Sequence, residues 1–166
     1  MPEPEFRPEL LLGVLARHRV RLVLIGGFAA VIHGSPYVTT DVDAVPDASK
    51  PNLQRLSQAL NEMHARIWTA SEPGGIAFNH DASSLASVRV WNLVTDFGRL
   101  DLTFEPSGTA GYKDLSRDAV SLQILGAAVD VASLADVIRS KEAAGRDKDR
   151  LVLPVLRRIH EETTDG

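Results

Sequence analysis

Cysteine is absent from the sequence, so no disulfide frames the fold, and its absence fits a reducing compartment. None is needed for stability. A chain of 166 residues with 44% hydrophobic content can bury roughly two-thirds of its unfolded surface in one core without a structural metal. A basic leader followed by an apolar stretch is also missing: Met1 to Pro8 is acidic and proline-containing, which predicts a protein that stays in the cytoplasm. The longest apolar run, Leu22 to Ile32, has eleven residues and contains two glycines, well short of the ~20 that cross a bilayer. A soluble protein with no membrane partner is expected. Neither a P-loop, a Gly-x-Gly-x-x-Gly turn nor a Gly-x-Ser-x-Gly elbow occurs. His18, His33, His64, His80 and His160 show no metal-ligand spacing and read as surface or helix-end residues. Trp68 and Trp91 read as residues that pack in or near the core, or that stack on a base.

What is present is an uneven charge distribution. A net charge of -4 argues against a protein that wraps nucleic acid over its whole surface. The C-terminal fifth is nevertheless the most basic part, with Arg139, Lys141, Arg146, Lys148, Arg150, Arg157 and Arg158. Such a cluster suits a solvated helical face as well as a polyanion-binding surface.

Hydrophobic periodicity predicts alternating helices and strands in a single domain spanning residues 1–166, an α/β (α+β) fold with a mixed sheet and a helical C-terminus. A helix is expected from Pro8 to the basic break at Arg17 to Arg21. The apolar run Leu22 to Ile25, stopped by Gly26-Gly27, reads as a buried strand. A short helix from Phe28 to His33 is closed by Gly34 and Pro36, and Val42 and Val45 belong to a second strand that Pro46 ends. Pro51 to Met63 is amphipathic, and Ile67 to Thr69 is a possible short strand. Ser71 to Ser87 sustains no period and reads mostly as loop. Two hairpins should follow, Val88–Val94 with Leu100–Phe104 and Val120–Leu125 with Ala127–Val131. Ser133 is a natural N-cap for a helix from Leu134 to Ala144, which Gly145 ends. A last helix starts near Asp147, with a frayed tail from Glu161 to Gly166.

Asp41 and Asp43 carry the chemistry. On a strand their spacing puts both carboxylates on one face, with Cα atoms ~7 Å apart. An oxygen-only set of this kind suits Mg²⁺, one ion or two, and a third acid from a neighbouring strand would complete it. Asp101, between Leu100 and Leu102 in a predicted strand, is the best candidate. With thirteen Asp residues, about one Asp-x-Asp is expected by chance, and a second stands at Asp147 and Asp149. There each acid has an adjacent cation, and a helix start accounts for it through the dipole. The first pair instead follows an apolar strand, a diglycine and a short helix. A phosphate chain can approach closely where no Cβ intrudes, although a tight turn needed only for packing would also explain an isolated Gly-Gly.

Gly26-Gly27, thirteen intervening residues and then Asp41-Val-Asp43 resemble the signature of the polymerase-beta-type nucleotidyltransferase superfamily. Thr39, two residues before Asp41, and the segment Ser133 to Asp149 further resemble nucleotidyltransferase toxins of the AbiEii and MenT kind. The resemblance touches Leu22 to Val45, Asp101 and Val129 to Arg158. It implies that Asp41, Asp43 and Asp101 hold the metals and that Gly26 and Gly27 cradle the triphosphate. It also implies that Thr39 and Lys141 face phosphate, and Arg146 could add a forked contact. Asp149 matches a family acid, but a pairing role with Arg146 or Arg150 fits it equally. Tyr37 departs from the pattern, because many relatives place arginine there, and the chain is short beside larger relatives.

The implied activity is transfer of NMP from an NTP to an acceptor hydroxyl with release of pyrophosphate. An RNA acceptor, a tRNA 3′ end modified by the toxin of a toxin–antitoxin pair with a cognate antitoxin, leads the expectations because of the basic C-terminal segment. The alternatives are a transferase acting on an antibiotic or other small hydroxyl compound, and a nucleotide-binding regulatory protein without turnover.

Overall fold

A computed structural model describes residues 1–164. Helix α1 (Pro8–Arg17) leads into strand β1 (Leu22–Ile25), whose four residues are all buried. Helix α2 (Gly26–Ile32) follows without a linker, so the diglycine is the first turn of the helix and not a loop ahead of it. After a connection through Gly34 comes β2 (Asp41–Pro46), in which Asp41 and Asp43 are half-buried while Val42 and Ala44 between and beyond them are buried. That alternation is the two-residue period of a strand with one face in the core and one on a cleft.

Helix α3 (Lys50–Glu62) has Pro51 in its first turn, where a missing N–H costs nothing. Strand β3 is only Arg66–Ile67; Trp68 continues the pairing by donating its N–H to the Asn92 carbonyl at 2.9 Å. The stretch expected as loop is mostly irregular, but it contains a bridge between Ile67 and Ile76 and a five-residue helix, α4 (Ala82–Ala86). Asp81 and Ser84 cap that helix reciprocally, with Asp81 accepting from the Ser84 N–H at 2.8 Å. A serine in place of the usual Glu or Gln hides this capping box from a sequence reading.

Strands β4 (Val90–Thr95) and β5 (Gly98–Thr103) form a hairpin tighter than expected, turning through Asp96-Phe97, with Asp101 in β5 as anticipated. A short helix α5 (Tyr112–Ser116), which periodicity does not reveal, precedes the hairpin β6 (Val120–Ile124) and β7 (Ala127–Val131). Leu125 (φ 52°) and Gly126 (φ 89°) make its turn, both in the left-handed region that a right-twisted two-residue hairpin requires. In α6 (Leu134–Ala144) the Ser133 hydroxyl accepts from the Asp136 N–H at 3.1 Å, and Gly145 closes the helix at φ 62°. Helix α7 (Asp147–Thr164) is longer than expected: residues 161–164 are helical, and 165–166 lie outside the described residues.

The seven strands form one mixed sheet in the order β3-β4-β5-β2-β1-β7-β6. At its centre β2 runs antiparallel to β1 and parallel to β5, and the register sets Asp43 opposite Ile25 on one side and Asp101 on the other. Helix α1 packs on β7 and α3, while α2 packs on β1, β2 and α6, which in turn carries α7. Leu24, Val42, Leu53, Leu100 and Leu156, all buried, belong to one continuous hydrophobic core. Trp91 is half-buried against it, its indole N–H donating to the Leu85 carbonyl at 3.0 Å. No helix among the described residues is long and apolar enough to cross a membrane.

Candidate active site

Three carboxylates meet at the centre of the sheet. Asp41 and Asp43 share one face of β2, and the parallel pairing with β5 brings Asp101 alongside Asp43. One oxygen from each of the three acids lies within 4.8 Å of the other two, close enough to share a cation. Such crowding is electrostatically unfavourable without one. Burial, then repulsion by Asp41, pushes the Asp43 carboxyl up to about 6, against the pull of Lys148, Lys141 and Arg146. Burial, a hydrogen bond with Asp41 and repulsion by Asp43 push Asp101 up to about 7, against Arg99. An all-oxygen site with excess negative charge and partial burial is the donor set that hard divalent cations take.

Two of the acids are held by neighbouring side chains. The Thr39 hydroxyl donates to Asp41 Oδ1 at 3.2 Å and to the Asp41 carbonyl at 3.3 Å. Arg99 Nη2 donates to Asp101 Oδ1 at 3.1 Å, and its guanidinium stacks 3.8 Å from the Trp68 ring centroid. Trp68 thus acts from beneath a positioning arginine, and neither tryptophan lines the cleft. Gly26 is required by its surroundings: its φ is +72°, and a Cβ there would lie 2.8 Å from Asp43 Cγ. A Cβ on Gly27 would lie 3.2 Å from the Thr39 hydroxyl. The diglycine therefore lets α2 start directly against the acids, and packing against Asp43 is enough to require glycine at position 26.

The cleft over the acids has two lobes, of about 400 and 380 Å³, which share Gly26, Asp41, Asp43, Lys141, Arg146 and Lys148. Gly27 and Thr39 belong to the first lobe, and Asp101, Asn92 and Ser140 to the second. Lys141, buried on α6, reaches Asp149 at 3.5 Å. Asp149 is fully buried and also accepts from Arg146 Nε at 2.7 Å, Nη2 at 3.3 Å and the backbone N–H at 3.2 Å. Burial opposes its charge, but the Arg146 hydrogen bonds, helped by Lys141, hold its carboxyl below the usual range. The pairing open to Asp149 is present, with Arg146 and also with Lys141, and both of these cations line the cleft. Arg146 Nε and Nη2, the fork that could add a phosphate contact, donate to this carboxylate. Lys148 was not singled out by the sequence, because it sits inside Arg-Asp-Lys-Asp-Arg; it lines both lobes and has no ion-pair partner among the described residues.

The rest of the basic segment is mostly paired internally. Arg139 meets Asp114 and Asp136, Arg150 meets Asp147, and Arg157 meets Glu142. Only Lys148 and Arg158 of the seven basic residues lack an acid within ion-pair reach among the described residues. Among the described residues no histidine belongs to the three-acid cluster; His18 and His64 pair with Glu62 and Asp96, and His18 and His33 are helix C-caps.

No family model and no curated protein matches the chain. Solved structures do. Over 94% of this chain and 99% of the other, the fold superposes on the lincosamide antibiotic adenylyltransferase LnuA, crystallised with lincomycin bound, at a TM-score of 0.61 and 16% identity. This chain has a nucleotidyltransferase fold. A Thermotoga maritima protein assigned as a nucleotidyltransferase superposes at a TM-score of 0.52 and 15% identity, over 96% of this chain and 97% of that one.

Proposed function

We propose that this chain is a metal-dependent nucleotidyltransferase that moves NMP from an NTP to an acceptor hydroxyl. The observation that carries the reading is the convergence of Asp41, Asp43 and Asp101 within 4.8 Å beside Lys141 and the diglycine start of α2. Binding alone does not need three converging acids, which cost stability when they are unpaired. Asp41, Asp43 and Asp101 would hold Mg²⁺, one ion or two, and the ion supplies charge neutralisation at the transferring phosphoryl group. Thr39 orients Asp41, Arg99 orients Asp101, and Lys141 with Lys148 offers positive charge to the leaving pyrophosphate. In the reaction the acceptor oxygen bonds to the α-phosphorus, the α–β anhydride bond breaks, and pyrophosphate departs with that electron pair. Asp101, which lines the second lobe only, would take the acceptor proton.

For the acceptor, the internal pairing of five of the seven C-terminal cations favours a small hydroxyl compound over an RNA chain. Phosphates on a polyanion would have to compete with existing carboxylate partners. The RNA-end reading, with a cognate antitoxin, keeps the support of the Thr39-x-Asp41-x-Asp43 pattern and of the Ser133 to Asp149 segment. Incubation with α-labelled NTPs and Mg²⁺, with total RNA in one series and lincosamides or aminoglycosides in another, tests both. Label should appear on one acceptor class with pyrophosphate released, and a chelator should stop it. No transfer to any acceptor and no pyrophosphate release would overturn the reading; label on RNA alone would reverse the choice of acceptor.

A further inference from the structure

The lobe of the cleft that contains the diglycine changes character along its length. Beside the acids its walls carry Thr39, Lys141 and Lys148, and toward solvent they carry Tyr37, Val38 and Leu151. Two strips of chain show the same order. In the connection before β2, the half-buried Thr39 gives way to Val38, 92% exposed, and Tyr37, 41% exposed. On α7, Lys148 is followed one turn later by Leu151, 61% exposed. Single exposed apolar side chains are ordinary, but three that line one concave lobe next to unpaired positive charge describe a binding surface. At its aromatic end the backbone is tied down, the Tyr37 N–H donating to the buried Ser35 hydroxyl at 3.3 Å.

We infer that Tyr37, Val38 and Leu151 form the platform for the nucleobase of the triphosphate substrate, gripping its flat face without selecting its hydrogen-bonding edge. The inference rests on the nucleotidyltransferase reading of the same cleft. A nucleoside triphosphate is anionic at one end and flat and weakly polar at the other, which is the gradient of this lobe. The acceptor belongs to the other lobe, where Asp101 stands. Selection among bases needs donors and acceptors in a fixed pattern, and several of the polar side chains of this lobe are engaged elsewhere. Thr39 donates to Asp41, Ser35 accepts from Tyr37, and Arg146 holds Asp149. The hydroxyls of Thr40 and Tyr37 and the O–H of Ser35 remain, and rotating hydroxyls set no fixed pattern. Stacking tolerates every base and favours the larger purines.

Equilibrium binding of the Mg²⁺ complexes of ATP, GTP, CTP, UTP and inorganic tripolyphosphate to the full chain tests this. The four nucleotides should bind within about tenfold of one another, purines ahead, and Tyr37→Ala should weaken all four by roughly tenfold, the usual loss of one stacking partner. Leu151→Glu, on an exposed helix face, should weaken them as well, and tripolyphosphate should bind Tyr37→Ala as it binds the parent. Two outcomes overturn the platform alone: nucleotide binding indifferent to Tyr37→Ala, or a preference beyond about a hundredfold for one base, which stacking cannot supply. Failure of the parent chain to bind tripolyphosphate overturns the phosphate site, and with it the reading on which the platform rests.

Discussion

The chain contains two Asp-x-Asp pairs, and the fold treats them in opposite ways. Asp41 and Asp43 lie on a strand, so both carboxylates face one side, where Asp101 joins them and no cation among the described residues is within ion-pair distance of either. Asp147 and Asp149 open a helix, where residues two apart point about 200° apart around the axis. Asp147 is therefore fully exposed, with only a 3.9 Å contact to Arg150, and Asp149 is fully buried between Arg146 and Lys141. One spacing thus yields a shared acidic site in an extended chain and a split pair in a helix. The electrostatic consequences have opposite sign: crowding raises the pKa values of Asp43 and Asp101, and pairing lowers that of Asp149.

The contrast can be broken first at its functional end. Asp41→Asn or Asp43→Asn should lower turnover by about a thousandfold or more, the scale of losing several kcal/mol of metal-assisted charge stabilisation. Because each change relieves repulsion at constant shape, thermal melting of the metal-free protein should hold or rise. Full transfer by either variant would remove the carboxylates from the mechanism.

At the second pair the effect should fall on stability. Asp149→Asn strands Lys141 in a buried position, and a loss of about 2 to 3 kcal/mol is expected, below the full cost of breaking a buried pair because Arg146 reaches solvent. For a chain of this size that lowers Tm by roughly 5 to 10 °C. Asp147→Asn should change stability by no more than about 0.5 kcal/mol. Equal melting of the two variants would show that burial does not distinguish these acids.

A smaller effect appears with pH. Asp43 and Asp101 hold their protons more tightly in the folded chain, so their contribution to stability is present below the ordinary carboxylate value and is lost as pH rises through about 6 and about 7. Asp149 has the reverse sign: its contribution is present above the ordinary value and is lost as pH falls through its lowered one. His80, lowered by burial, gains stability as pH rises and would mask part of the first effect in the parent chain. The difference in Tm between Asp101→Asn and the parent, both metal-free, isolates it. That difference should grow in favour of the variant from about pH 5 to about pH 7.5. A difference independent of pH would mean that Asp101 is not crowded.

Much of this was legible in the sequence because it is local. Ser133 and Gly145 bound α6 through their own capping chemistry, Leu125-Gly126 makes its own turn, and alternation in Asp41-Val42-Asp43-Ala44 puts the acids on one face. Helices α4 and α5 escaped notice because five residues cannot display a 3.6-residue period. Asp101 could be nominated as the third acid from its place in a strand, but the β2–β5 register that sets it beside Asp43 depends on which strands become neighbours. The same holds for Lys148, Arg99 and Asp149. Their charges are in the sequence, yet whether each faces a cleft, orients a carboxylate or is buried against a lysine depends on residues far away in the chain. Backbone conformation follows from neighbours a few residues apart, so the sequence alone determined most elements and the Asp41/Asp43 pair. Burial and ion pairing depend on what the folded chain brings within a few ångströms, so only the tertiary structure decided which charges meet and which remain unpaired.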